Sequence, residues 1–499
     1  MAKAELIATL AAPPSAGGEE ITALSDSVEW LEVRADLAGE IDPGWLRNRF
    51  RGRLLYSLRS RVEGGSFDES GQSRHARLQS AARHYDLIDM EGDRDLLPHL
   101  LAGIPAQKRL LSWHGRAEDM SELRARFARL SAIEARVYKL VSTAHQTGEE
   151  LIPLTLLNSL KRSDIIAFAE GQTGFWTRLI APRLGSPMIF GIVGNKRGSC
   201  GEPTVSQLIE DYGLPAMPEL EAIYGIVGNP TAHSLSPRLH NAAYRALGHP
   251  ALFLPFQVES FPCFLSKVAR GGILESLGMP IRGFTVASPY KEAALVEAGT
   301  SSLIVQRAGS SNLLVRNNGH WRADTTDPEG VITTLREQGI FVKGKRVAVV
   351  GCGGSGRAMA AALDQAGADV TLVNRGRKRG ELAVRLLGLP FVPLTEFSVE
   401  GYSIIVHATP VGRDIHQLPF EVDNLSKDAV VVDLVYGPAP TPLVTRTRAL
   451  GRTAIDGRDV LIAQVLRQFH LMTGKEMPVA LARGLLGWER PRSQTESSA

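Results

Sequence analysis

The sequence predicts an α/β chain built from parallel βα units in several domains, and three observations predict it. Short apolar strands alternate with amphipathic helical stretches along almost the whole length, the pattern of parallel sheets. Early strands carry polar residues on one face and apolar residues on the other, as a (βα)8 TIM barrel requires near the C-terminal ends of its strands. Farther along, an apolar strand at 346–350 runs into Gly351-Cys-Gly353-Gly354-Ser355-Gly356 and an alanine-rich helix at 357–366. That is the strand–turn–helix setting of a Rossmann dinucleotide-binding unit, with phosphate at a helix N-terminus.

Length and composition narrow the class. The 499 residues are about three times the roughly 150 of a typical domain, which predicts two to four domains with real cores. At 44% hydrophobic and 22% charged, the chain is globular rather than fibrous or disordered. A net charge of +3 is too small at this size to imply a nucleic-acid or acidic-membrane partner. Cys200, Cys263 and Cys352 lie far apart with no CxxC pair, which excludes a disulfide framework or Cys-based zinc site and favours a reducing compartment. No window approaches the ~18 apolar residues of a membrane span, and the start reads as a strand and loop rather than a signal peptide. A soluble, cytoplasmic protein is expected. No fixed-period repeat occurs, so solenoids and propellers are excluded.

Two boundaries divide the chain. Residues 211–221 form a Pro-dotted polar stretch ahead of a fresh strand at 222–227, and near 327–344 a helical segment leads into the strand at 346–350. The expected domains are a barrel at 1–216, an α/β domain at 217–327 completed by a C-terminal helix at 468–489, and a Rossmann domain at 328–467. The polar tail 490–499 is expected to be disordered.

In the barrel, Glu32, Arg34 and Asp36 alternate with Leu31, Val33 and Ala35. Asp89 and Glu91 alternate with Ile88 and Met90, and Ser112 and His114 with Leu111 and Trp113. An antiparallel sheet with one wet face gives the same alternation, but helical stretches such as 120–133 intervene between the strands. Lys139 sits inside Val137-Tyr138-Lys139-Leu140-Val141. A desolvated amine deprotonates readily and can attack a ketone to form a Schiff base, whereas a gatekeeper lysine on an edge strand is the plainer alternative. His114 on the preceding strand favours the chemical reading, because an imidazole beside an iminium can abstract a proton.

This region resembles type I 3-dehydroquinate dehydratase. The matches are Glu32-Val-Arg34-Ala-Asp36, Arg59-Ser-Arg-Val-Glu63-Gly-Gly, Asp89-Met-Glu91, Ser112-Trp-His114, Tyr138-Lys139, and Thr177-Arg178 followed by Gly185-Ser186. The resemblance implies that Lys139 forms an imine with the substrate ketone, while His114 removes the α-proton and later protonates the departing hydroxyl. It implies substrate contacts from Arg34, Arg59, Arg178, Glu32 and Glu63, with the glutamates also orienting His114. The family's Met-Gly is Glu170-Gly171 here, and its closing Ala-Pro-Gly-Gln loop is Ser199-Cys-Gly-Glu202, which puts a carboxylate at a substrate-binding position.

Past the Rossmann strand at 369–373, an NAD enzyme usually places an acid on the ribose. This chain has Asn374-Arg375-Gly-Arg377-Lys378-Arg379, and cations there suit the 2′-phosphate of NADP. Cofactor contacts are expected from Gly351, Gly353, Gly354, Ser355, Gly356, Asn374, Arg375, Arg377, Lys378 and Thr409. A solvated basic helix start accounts for Lys378 and Arg379 better than for Arg375.

Residues 222–480 resemble shikimate dehydrogenase. The resemblance runs through Asn229-Pro-Thr-Ala-His-Ser234-Leu-Ser236-Pro237, Thr285-Val-Ala-Ser-Pro289-Tyr-Lys291, Asn312 and Thr325-Thr-Asp327. It continues through the glycine loop, Ala408-Thr409-Pro-Val-Gly412, Asp433-Leu-Val-Tyr436, Asp456-Gly457 and Gln464. It implies substrate contacts from Ser234, Ser236, Thr285, Asn312, Tyr436 and Gln464, and a catalytic pair Lys291–Asp327 that holds the reacting oxygen and relays its proton. Taken singly, these residues read as turns, surface ion pairs or helix-face amides. The family's Asn-Val-Thr is Thr285-Val286-Ala287 here, and two of its asparagines are Thr325 and His407.

Together the resemblances imply a fused 3-dehydroquinate dehydratase and shikimate dehydrogenase of aromatic amino acid biosynthesis. It would convert 3-dehydroquinate to 3-dehydroshikimate and then, with NADPH, to shikimate. No metal is expected, because the Schiff base supplies the electron sink. A quinate- and NAD-linked catabolic homologue, or a regulatory binding protein with one half inactive, are the alternatives.

Overall fold

The computed structural model describes residues 4–194, 198, 201–413, 417–437 and 439–487. The expected tail and residues 199–200 of the variant loop lie outside the described residues. Two compact units emerge, Met1–Ile223 with Gly248–Pro280, and Tyr224–Leu247 with Ile281–Ala499.

The first unit is built on eight strands: β1 (Glu5–Leu10), β2 (Val28–Arg34), β3 (Arg53–Ser57), β4 (Leu87–Glu91), β5 (Arg109–Gly115), β6 (Val137–Thr143), β7 (Ile165–Glu170) and β8 (Met188–Ile192). They form one sheet in the order β7-β6-β5-β4-β3-β2-β1-β8, and every pair is parallel. This is the nearly closed barrel anticipated from sequence, and the antiparallel alternative is excluded.

Period-two alternation explains its interior. Ile7, Trp30, Leu55, Leu87, Leu110, Val137, Ile166 and Met188, near the strand starts, join one apolar cluster. Two residues later on the same faces stand Thr9, Glu32, Ser57, Asp89, Ser112 and Lys139, all buried. The barrel floor is therefore apolar and its upper layer polar. Strand β2 ends at Arg34, earlier than the alternation suggested, because Asp36 enters a short helix, Ala35–Ala38. From there Asp36 accepts two bonds from Arg34 and the backbone N–H groups of Arg59 and Ser66.

Beyond the barrel come β9 (Ala222–Gly228) and β10 (Ala251–Gln257), then β11 (Ile281–Val286), β12 (Thr300–Ser301), β13 (Leu313–Asn317) and β14 (His320–Asp324). In the second unit β13 pairs antiparallel with both β11 and β14, and β12 lies parallel to β14. The remaining strands are β15 (Arg346–Val350), β16 (Asp369–Asn374), β17 (Phe391–Pro393), β18 (Ile404–His407), β19 (Val430–Asp433) and β20 (Thr453–Ile455). They run in the order β17-β16-β15-β18-β19-β20, all parallel, with an apolar core on each face. The order reverses between β15 and β18, which opens the crevice where such sheets bind ligands.

The helix after β15 spans Gly354–Gln365 and so begins inside the glycine loop. The helix expected at 468–489 is two helices. Gly457–Thr473 ends at Gly474 in the left-handed region (φ 69°), and Val479–Leu485 follows Pro478. Glycine there accepts the positive φ that closes a helix, and proline starts the next one without losing a bond.

Candidate active sites

At the top of the barrel Lys139 projects from β6 and is 2% exposed. Its Nζ lies 3.8 Å from Asp89 Oδ2 and 4.4 Å from the Phe190 ring centre. Burial drives the ammonium pKa down. The Asp89 and Glu32 charges oppose that shift, and Arg59 and Arg34 reinforce it. The result is an amine easier to deprotonate than a surface lysine, which is what nucleophilic attack requires.

His114, at the end of β5, is buried, and its Nδ1 lies 2.9 Å from Glu63 Oε2. The same oxygen accepts the His114 backbone N–H at 3.1 Å. Nε2 is buried with no protein partner. Burial, then the Arg59, Lys139 and Arg34 charges, hold the imidazole well below its usual value. Burial and the neighbouring Glu91 and Asp89 push Glu63 up to about 9. Both shifts favour uncharged partners, and a neutral imidazole is the form that can accept a proton.

The other expected barrel residues divide. Burial pushes the Glu32 carboxyl up, but Lys139, Arg34 and bonds from Thr9 (2.6 Å) and Ser57 (2.7 Å) outweigh it and hold it low. Arg34 is clasped by Asp36 through two 2.8 Å bonds, so its guanidinium is already positioned. Arg59 keeps a buried Nε with no partner, a donor left for a ligand. Arg178, in the short helix Thr177–Ile180 after β7, is buried over the Phe168 ring at 4.8 Å. Glu202 lies beyond β8, where its backbone carbonyl accepts the Gly198 N–H. Asp89 was legible as part of an alternating strand and of the Asp89-Met-Glu91 match, but without an assigned role. Its pairing in register with Ser57, and its position two residues before Glu91 on the same face, are the signals that it belongs beside the lysine.

In the second unit Lys291 and Asp327 meet at 2.6 Å (Nζ to Oδ2), and Lys291 Nζ also lies 2.6 Å from Ser355 Oγ in the glycine loop. The other Asp327 oxygen accepts from Asn312 Nδ2 at 2.8 Å and from Gln464 Nε2 at 3.1 Å. Lys291, Asn312 and Gln464, distant in sequence, thus converge on Asp327. Gln468, one helical turn past Gln464, was missed. It donates to Thr326 Oγ1 at 3.0 Å, and its i+4 spacing was the signal. Ser234 Oγ accepts the Ser236 N–H at 3.2 Å at the start of the helix Ser236–Ala246. Thr285 is buried near the end of β11. Burial raises the phenol pKa of Tyr436, which follows β19.

The glycine loop fits a dinucleotide phosphate. Gly351 has φ 117°, and a Cβ at Gly356 would lie 1.7 Å from the Gly351 carbonyl oxygen. A Cβ at Gly353 would meet nothing within 4 Å, so that face is an open cradle at the start of a helix with no side-chain cap. Asn374 Oδ1 accepts the Cys352 N–H at 3.1 Å and pins the loop to β16. Arg375, Lys378 and Arg379 are exposed just beyond β16, whereas Arg377 is taken up by Glu396 at 3.1 Å. Thr409 Oγ1 lies 2.5 Å from His407 Nε2.

Comparison with known proteins finds matches in both halves of the chain. The family model for type I 3-dehydroquinase matches residues 11–217, and that for the shikimate dehydrogenase substrate binding domain matches 226–314. The model for ketopantoate reductase PanE/ApbA matches 347–391, which covers the glycine loop. A shikimate dehydrogenase (NADP(+)) from Halobacterium salinarum is 36% identical over 267 residues, 53% of this chain and 98% of that protein. The chloroplastic bifunctional 3-dehydroquinate dehydratase/shikimate dehydrogenase of Arabidopsis thaliana is 25% identical over 457 residues, 86% of this chain and 74% of that one. Among solved structures, shikimate 5-dehydrogenase from Thermus thermophilus with NADP(H) and shikimate is 30% identical (TM-score 0.48), covering 53% of this chain and 98% of that one. Through its C-terminal half the chain belongs to the shikimate dehydrogenase family, and in the same polypeptide it carries a type I 3-dehydroquinase at its N-terminus.

Proposed function

We propose that the chain dehydrates 3-dehydroquinate to 3-dehydroshikimate in the barrel and reduces 3-dehydroshikimate to shikimate with NADPH in the second unit. The observation that carries the first step is the buried Lys139 amine, its pKa lowered by desolvation, on the strand next to the one that bears His114 of the His114–Glu63 pair. The amine attacks the substrate ketone and water departs, leaving an imine that withdraws electrons from the adjacent carbon. His114 Nε2 takes the α-proton and then gives it to the leaving hydroxyl, so one imidazole serves as base and acid. Hydrolysis of the imine restores Lys139. Arg59 and Arg178 provide cationic donors for the carboxylate and hydroxyls.

In the second step reduced nicotinamide supplies the hydride. Lys291 presents its ammonium to the carbonyl oxygen and delivers the proton, while Asp327 orients it and is itself held by Asn312 and Gln464. Ser234 and Ser236 suit the carboxylate. Arg375, exposed at the strand end where NAD enzymes carry an acid, supports NADPH over NADH.

The test is a coupled assay that supplies 3-dehydroquinate and follows oxidation of NADPH, with NADH in parallel. NADPH consumption that vanishes in Lys139→Ala and returns on adding 3-dehydroshikimate is the expected result. No consumption with either substrate defeats the proposal.

A further inference from the structure

Resting on that reading of the reductase, we propose that His407 is a positioning residue for dinucleotide binding, acting by fixing Thr409 and the turn after β18 against the glycine loop. His407 and Asp433 are both 0% exposed and stand side by side at the ends of neighbouring parallel strands. The family resemblance implies an asparagine at 407, where this chain has histidine.

The hydrogen bonds run in one direction. Asp433 gathers three donors: Thr441 Oγ1 at 2.5 Å, the Val435 N–H at 3.0 Å and His407 Nδ1 at 2.8 Å. A carboxylate that serves only as acceptor requires the imidazole to carry its hydrogen on Nδ1. His407 Nε2 then accepts from the Thr409 hydroxyl at 2.5 Å, and that oxygen accepts the Val411 N–H at 3.3 Å. With the imidazole gripped on both sides, the Thr409 side chain has one orientation and the turn has one backbone path.

That turn touches the cofactor cradle. A Cβ on Gly351 would lie 2.8 Å from the Ala408 carbonyl oxygen and 3.0 Å from Thr409 Cγ2. The 408–409 backbone therefore rests on the first glycine of the loop, at the point where the strand order reverses. A buried imidazole also costs desolvation that an apolar side chain of similar size would avoid. Its position between Asp433 and Thr409 supplies the polar links that offset this.

The test uses the full chain with NADPH as probe. Fluorescence titration gives its Kd without substrate, and steady-state kinetics give the KM for 3-dehydroshikimate at saturating NADPH. His407→Leu and Thr409→Val should each raise the NADPH Kd about tenfold, and the double variant should be no weaker than either single one. His407→Asn should recover part of the affinity, and the KM for 3-dehydroshikimate should stay within about twofold. A His407→Leu chain that melts earlier but binds NADPH as tightly as the parent overturns the proposal, as does additive loss in the double variant. If His407→Leu does not fold, His407→Asn and Thr409→Val carry the same comparison. A parent chain that does not bind NADPH at all overturns the reductase reading instead, which separates the two failures.

Discussion

Glu150 is 1% exposed, in the turn that follows the lysine-bearing strand β6, and its Oε2 accepts the Gly148 N–H at 2.6 Å. Burial pushes its carboxyl from 4.5 up to about 7, with backbone N–H bonds and Lys267 opposing the shift and Glu149 adding to it. Between those values the folded chain holds a proton that the unfolded chain has released. Folding stability therefore falls as pH rises from 4.5 through about 7 and levels off about one unit higher. At about 1.4 kcal/mol per pH unit, the gap amounts to about 3 kcal/mol, most of it lost between about pH 5 and 8. Glu150→Gln keeps an oxygen for Gly148 and removes the ionisation. The variant should gain stability over the parent by about 2–3 kcal/mol more at about pH 8 than at about pH 5, roughly 5–10 °C in barrel unfolding temperature. Thermal unfolding followed by tryptophan fluorescence at the two pH values measures it, and other titrating groups cancel because both proteins share them. Parallel stability curves across that range would refute the argument that desolvation governs Glu150.

Arg74, 2% exposed, grips Asp95 with bonds of 2.8 and 2.7 Å and lies 3.6 Å from Glu91. Arg74→Met strands those buried carboxylates and should destabilise the barrel by about 3–5 kcal/mol, read by urea unfolding. Lys291→Met removes the proposed proton donor, so reductase kcat should fall about 10²–10⁴-fold with little change in the NADPH Kd. Retention of kcat within about threefold would exclude Lys291 as the acid. Arg375→Ala should raise the KM for NADPH about 10–100-fold and leave that for NADH unchanged, since only the former carries the 2′-phosphate.

The barrel strands were legible because period two is imposed residue by residue. Lys139 and Glu32 declare themselves as charges inside apolar runs, and burial forces them onto the same inner layer. Asp36 was not legible as a helix residue, because the chain leaves the strand at Arg34 to satisfy that guanidinium, a choice made by a side-chain pair rather than by periodicity. The glycine loop was readable because only glycine tolerates Gly351's φ of 117° and Gly356's approach to a carbonyl. The helix began earlier than hydrophobic pattern suggested, since loop glycines carry no pattern. The bonds that join His407 to Asp433 and Asp433 to Thr441 were not legible, because those partners lie on separate strands and turns.

In the proposed mechanism the two lysines are set to opposite tasks by their surroundings. Lys139 must offer a lone pair. It sits on an inner strand face against an aromatic ring, with its nearest carboxylate 3.8 Å away, too far for a hydrogen bond. Desolvation is then the leading influence and moves its pKa downward. Lys291 must offer a proton. It heads the helix Lys291–Val296, its side chain is 19% exposed, and it donates at 2.6 Å to a carboxylate held by two amides. The two ammonium-to-carboxylate distances, 3.8 Å in the barrel and 2.6 Å in the second unit, differ in the sense these proposed tasks require. Shortening the barrel distance, by replacing Asp89 with the longer glutamate, should suppress imine formation as seen by borohydride trapping. If Asp89→Glu traps substrate as efficiently as the parent, desolvation alone sets the lysine and the carboxylate distance is irrelevant.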